Sequence, residues 1–192
     1  MTGVEKELYE MTLEELWALF PIFLVEHDDN WQAYYSEVEA VITKILAETP
    51  LHRISHIGST AVKGIMAKNI VDVLVELPVG ADMKKAAQAL SQNGFIIMSE
   101  SEKRISLNRG YTKHGFADKV YHVHLRFAGD NDELYFRDYL NENPDVAREY
   151  EALKLSLWKR YEHDRDAYTE AKTEFIRTHT QSARALYGER YD

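Results

Sequence analysis

Apolar residues recur at three- and four-residue steps near both ends of this chain and at two-residue steps, or in short unbroken runs, through its middle. Thr12-Leu13-Glu14-Glu15 has capping-box spacing ahead of Leu16, Leu19 and Phe20, which predicts a short helix near 12–19 that ends before Pro21. Ile22 to Val25 then suit a short strand. Asp29 or Asn30 can cap a second helix, in which Trp31, Tyr34, Tyr35, Val38, Val41, Ile42 and Ile45 form one stripe as far as about Ala47. Strand patterns occupy 52–57 and 69–77, followed by a helix near 82–92 that Asn93-Gly94 closes. Segments 95–99, 104–108 and 121–127 read as further strands, the last two separated by a loop containing glycine and lysine. From residue 131 the helical period returns, predicting helices near 131–141, 144–162 and 166–187, with Pro144 in a first turn where its missing N–H does no harm.

This order predicts an α+β fold: a mixed sheet of four to five strands flanked by helices, with a C-terminal helical subdomain. No repeat, low-complexity segment or Gly/Ser linker divides the chain. The 192 residues are therefore expected to form a single compact domain, with a sheet core over 22–128 and helices over 131–187.

Composition narrows the chemistry. The absence of cysteine excludes a disulfide framework, a thiolate metal site and a thiol nucleophile, and it suits a cytoplasmic setting. The opening residues are charged from Glu5 and lack the apolar stretch of a secretory signal, and no run approaches the roughly 18 apolar residues that span a bilayer. A formal charge of −9 argues against bulk nucleic-acid binding, which depends on neutralising phosphates. It leaves room for a local basic pocket.

The candidate chemistry begins at Ile57-Gly58-Ser59-Thr60. Gly58 permits a backbone conformation or close approach that a Cβ would obstruct, and Ser59 and Thr60 offer hydroxyls and amides beside it. The apolar run 70–75 that follows is interrupted by Asp72, a charge that would be costly to bury without a purpose. Side-chain alternation places Asp72, Leu74 and Glu76 on one face, but Asp72 and Glu76 are roughly 13 Å apart and do not share one ion. Glu76 is expected to be solvated or ion-paired. If strand 121–127 lies beside this one, His122 and His124 point to a common face and become candidate metal ligands or phosphate contacts. Lys68 can supply positive charge to an anion, as can Lys63, while Arg104, Arg109 and Lys113 are more distant candidates for the same cleft.

The stretch HIGSTAVKGIMAKNIVDVLVEL at 56–77 resembles the GrpB-like family, whose fold is similar to that of polymerase-β-like nucleotidyltransferases. The resemblance extends over roughly 25–185 through Asp29-Asn30-Trp31, His122-Val123-His124-Leu125, Phe136-Arg137-Asp138-Tyr139-Leu140, Tyr150 with Lys154, and Tyr168 with Lys172. It implies a nucleotide or phosphorylated small molecule at Gly58, Ser59, Thr60 and Lys68, and a divalent ion, Mg²⁺ or Mn²⁺, at Asp72 with His122 and His124. Asp72 and His124 would be the catalytic residues. Arg137, Tyr150, Lys154 and Lys172 would be further ligand contacts, although each tyrosine–lysine pair also reads as ordinary interhelical packing and Arg137-Asp138 as a clamp between helix and sheet.

Two positions depart from the family pattern. Active enzymes of the related fold carry two carboxylates two residues apart on this strand, and here the second is Leu74. Lys63 stands where proline is more frequent. Nucleotidyl transfer and a catalytically inactive binding or interaction module therefore both remain open. The chain has no P-loop, no Gly-x-Gly-x-x-Gly and no His-Glu-x-x-His, and Ser59 lacks the Gly-x-Ser-x-Gly elbow of a serine hydrolase.

Overall fold

A computed structural model describes residues 6–191, so part of the opening segment read for a secretory signal lies outside the described residues. Five strands, β1 (Arg53–Ile57), β2 (Val71–Leu77), β3 (Ile96–Glu100), β4 (Arg104–Thr112) and β5 (Gly115–Phe127), form one sheet in the order β1-β2-β5-β4-β3. The central pair β2 and β5 is parallel and the other neighbours are antiparallel, giving the mixed sheet of an α+β fold. Among the described residues, no helix is long and apolar enough to cross a membrane.

The sheet has two chemically different faces. On one, Val71, Val73, Val75 and Leu77 join Tyr121, Val123, Leu125, Ile105 and Leu107 beneath α2 (Asn30–Ile45) and α3 (Met83–Ser91). Trp31, Tyr35, Val38 and Ile42 descend from α2, and Met83, Ala86, Ala87 and Leu90 from α3. Each large side chain removed from water there contributes about 1.5–3 kcal/mol, which makes this layer the main source of stability. The other face carries Asp72, Leu74 and Glu76 beside His122, His124 and Arg126, then Asn108, Ser106 and Arg104. It is turned toward the helical layer of α4 (Asp132–Glu142), α5 (Pro144–Arg160), α6 (Arg165–Glu170) and α7 (Thr173–Tyr187).

Several boundaries differ from the sequence pattern, for physical reasons. Segment 22–25 forms only an isolated bridge between Val25 and Ala67, with the Ile22 amide donating instead to the Glu162 carbonyl at 2.8 Å. The expected loop between 108 and 121 is mostly strand: the β4–β5 hairpin continues to Thr112 and Gly115, and its bend is accommodated at Gly110. With φ +92 there, a Cβ would lie 2.3 Å from the Lys119 carbonyl oxygen. The expected helix 166–187 is interrupted between α6 and α7, where the Lys172 amide bonds at 3.2 Å to the Thr169 carbonyl three residues back. The cap before α2 is supplied by Asp28, whose Oδ1 accepts the Asn30 amide at 2.9 Å, and not by Asp29 or Asn30. Thr12 forms the capping box that starts α1 (Leu13–Leu19).

Candidate functional site

Strand β1 delivers the chain to Gly58 opposite Asp72, since Ile57 and Asp72 are register partners. Gly58 has φ +71, and a Cβ built on it would meet Asp72 Oδ2 at 2.4 Å. The glycine therefore serves two purposes, turning the backbone in a way that favours glycine and letting a carboxylate come against it. Ser59 opens a short 3-10 turn, and its side chain is hydrogen-bonded to Tyr150 of α5. Burial pushes the Tyr150 phenol up to about 12.

Parallel pairing of β2 with β5 sets Asp72 opposite His122 and Leu74 opposite His124. Asp72 Oδ1 lies 3.3 Å from His122 Nδ1 and 3.4 Å from His124 Nε2, and the three donor atoms fall within 4.8 Å of one another. Burial by itself would raise the Asp72 carboxyl, but the two imidazoles outweigh it and hold the group well below the ordinary carboxylate range. Burial also lowers His122, against the pull of Asp72, and favours a neutral ring. On its far side His122 Nε2 is 2.8 Å from the Tyr111 hydroxyl, which accepts a hydrogen bond from Arg165 at 3.0 Å. His124 Nδ1 is buried with no hydrogen-bond partner among the described residues.

Cations gather around this trio. Lys68 Nζ, from the segment preceding β2, and Lys172 Nζ, from the break between α6 and α7, lie 5.9 and 4.2 Å from the centroid of the Tyr168 ring. Among the described residues, neither ammonium has a hydrogen-bond acceptor or an ion-pair partner. Burial, reinforced by Arg165 and opposed by Asp72, lowers Lys68 to about 7 and Lys172 to about 8, with Lys172 adding to the effect on Lys68. Lys154 is likewise lowered to about 7, chiefly by burial. The carboxylates that offset these charges are Asp72, already shared by two histidines, and Glu151, which accepts the Met66 amide.

Not every residue expected at the site is free to meet a ligand. Thr60 is buried with its hydroxyl 2.9 Å from His56 Nε2, a bracing contact behind the loop. That histidine stacks on Tyr35, and burial holds it down at about 4. Lys154 is buried and donates to the Met66 carbonyl, so its spacing from Tyr150 reflects anchoring of the loop before β2. Arg137 donates to the His56 carbonyl, Asp138 and the Tyr191 hydroxyl, clamping α4 to β1, and it also lines the cavity that opens from Gly58 and Ser59. Of the two states expected for Glu76, the structure has the ion pair, with Arg53, and the carboxylate is fully buried instead of solvated. Arg104 is paired with Asp130 and lines the same cavity as Gly58 and Ser59, whereas Arg109 lies over the Phe95 ring and Lys113 reaches Glu7. Lys63 is exposed and gives its amide to Asn141.

A cavity of about 590 Å³ opens from Gly58 and Ser59 between the sheet and the helical layer. By area its wall is mainly apolar, through Val62, Phe136, Leu140, Tyr150 and Ile176, while arginines including Arg137 and Arg177 also line it. Sequence reasoning missed Tyr111 and Arg165. Neither belongs to a local motif, and they meet His122 only through the extended hairpin and the start of α6.

Comparison with known proteins follows this geometry. A family model described as GrpB protein matches residues 21–182. The glutamate-rich protein GrpB of Alkalihalophilus pseudofirmus is 34% identical over 164 residues, covering 81% of this chain and 91% of that protein. Among solved structures, conserved protein GrpB from Enterococcus faecalis superposes with a TM-score of 0.73 at 27% identity, over 86% of this chain and 99% of that one. The Cid1 poly(U) polymerase, solved with MgATP, superposes with a TM-score of 0.50 at 12% identity, over 71% of this chain and 43% of that one. At that identity the likeness is one of fold.

Proposed function

Starting from the fact that this chain belongs to the GrpB family, we propose that it binds a nucleotide or another phosphorylated small molecule between the polar face of its sheet and its helical layer. One observation carries this: the Lys68 and Lys172 ammonium groups flank one tyrosine ring, half-buried, with no acceptor among the described residues. Like charges gathered in a half-buried cleft are costly, and a phosphate group whose oxygens accept from them offsets that cost through charge-assisted hydrogen bonds. Gly58 and Ser59 then lie beside the phosphates, and the adjoining cavity has the size and apolar lining that suit the organic body of the ligand. A small ligand, not a nucleic-acid polymer, matches the net charge of −9.

Binding without transfer is the favoured form. The two-carboxylate, two-magnesium arrangement does not fit this strand, since Leu74 is packed against Ile57 and Leu134, and Glu76 is held by Arg53. Nucleotidyl transfer by another arrangement would show as pyrophosphate release that Asp72→Asn abolishes.

Thermal-shift titration with nucleoside mono-, di- and triphosphates tests the proposal, because a ligand bound only to the folded state raises the melting temperature. Lys68→Ala and Lys172→Ala are each expected to weaken the best ligand at least about tenfold, the loss of one charge-assisted hydrogen bond. No shift with any phosphorylated compound would end the proposal.

Lysines near 7 and 8 in the folded chain, against about 10.4 unfolded, mean that the unfolded chain binds more protons between those values. Unliganded stability is therefore expected to rise from about pH 7 toward pH 10, while affinity for phosphate falls over the same range as the ammonium groups are lost. Urea unfolding and calorimetric titration at matched pH check the two trends.

A further inference from the structure

The residues around Asp72 are poorly suited to magnesium, which prefers an octahedron of oxygen ligands, and better suited to an ion that accepts nitrogen. We infer that Asp72, His122 and His124 form a three-ligand site for a tetrahedral transition-metal ion of the zinc class, with the fourth position left for water or a ligand oxygen. The inference concerns the same cleft as the proposed phosphate site but stands on separate atoms.

Spacing is the first argument. Asp72 Oδ1 lies 3.3 and 3.4 Å from the two imidazole nitrogens. Charge-assisted hydrogen bonds are typically about 2.7–2.9 Å long, so these contacts are long for that purpose. Ligands roughly 2.0–2.1 Å from a tetrahedral ion are held roughly 3.3–3.4 Å apart, which matches both separations. The two histidine nitrogens lie within 4.8 Å of each other, so closing that edge to the tetrahedral length requires the rings to turn toward the ion.

The surroundings give the second argument. A ligating histidine needs its other nitrogen held so that the lone pair faces the metal. The Tyr111 hydroxyl is 2.8 Å from His122 Nε2 and is itself positioned by Arg165, so it can accept a hydrogen bond from Nε2–H and leave the Nδ1 lone pair free for the ion. His124 Nδ1 has no such partner among the described residues, making His124 the weaker ligand. Two imidazoles and one carboxylate with an open position are the donor set of catalytic zinc sites.

The test uses chelator-treated full-length protein with no nucleotide present, titrated with Zn²⁺, Co²⁺, Mn²⁺ and Mg²⁺. The expected result is one zinc ion per chain, undisturbed by excess Mg²⁺, and a cobalt adduct with the intense visible absorption of tetrahedral geometry. His122→Gln is expected to weaken zinc about 100-fold, His124→Gln less, and Tyr111→Phe about tenfold as a positioning residue. Wild-type protein that takes up no zinc or gives an octahedral cobalt spectrum overturns the inference, as does zinc uptake unchanged in both histidine variants or displacement by Mg²⁺. Wild-type cobalt absorption decides the matter even if the variants fold poorly. Nucleotide titration of the same chelator-treated protein reports on the phosphate site independently.

Discussion

Gly58→Ala is expected to cost about 2–5 kcal/mol of stability, the combined effect of forcing a side chain into glycine's backbone region and of overpacking against a neighbour. The methyl group would sit 2.4 Å from Asp72 Oδ2 and 3.0 Å from its Cβ, so either the carboxylate turns away from the histidines or β1 moves. Gly64→Ala is the control. Its φ of +73 is nearly the same, yet nothing lies within 4 Å of the added carbon. It should cost only about 1–2 kcal/mol of backbone strain. Urea denaturation of both variants isolates the contact with Asp72, and equal losses would show that the close approach contributes nothing.

Glu76→Ala should be comparably damaging, at about 2–4 kcal/mol, because it removes the buried partner of an ion pair whose other member, Arg53, is only 26% exposed. Glu76 is fully buried, with Arg53 Nε at 2.5 Å from Oε2 and the Asn131 amide at 3.1 Å from Oε1. Arg53 and Asn131 also donate to the Tyr191 carbonyl, so this carboxylate helps join β1, the start of α4 and the C-terminal segment. Replacing both members of the pair, with Arg53→Met and Glu76→Leu, is expected to recover most of the loss because no isolated charge remains. Equilibrium unfolding checks both variants. A loss below about 1 kcal/mol for Glu76→Ala would mean that water enters and solvates Arg53.

The site's central residue is legible in the sequence because a strand has a simple period. One aspartate among Val71, Val73 and Val75 must lie on the opposite face from them, and a glycine ending the preceding strand marks where something comes close. The association with His122 and His124 depends on β5 lying beside β2, which alternation alone does not dictate. Tyr111 and Arg165 were harder to find. Tyr111 lies where Gly110, Lys113 and Gly115 signal a loop, and only the paired hairpin turns it toward His122. Thr60 and Lys154 show the converse problem: their positions on a turn and a helix face are readable locally, but the His56 ring and Met66 carbonyl that engage them come from tertiary packing. The interruption before Lys172 is hidden by a helical period that runs through it.

The contrast between the two faces of the sheet guards the pairing of its strands. If β2 slipped by one position against its neighbours, Asp72 and Glu76 would enter the valine layer under α2 and α3, while Val71, Val73 and Val75 would replace them opposite the helices. Misaligned chains would thus bury unpaired charges and lose their oily layer together, so the polar residues of this face also act as proofreaders during folding.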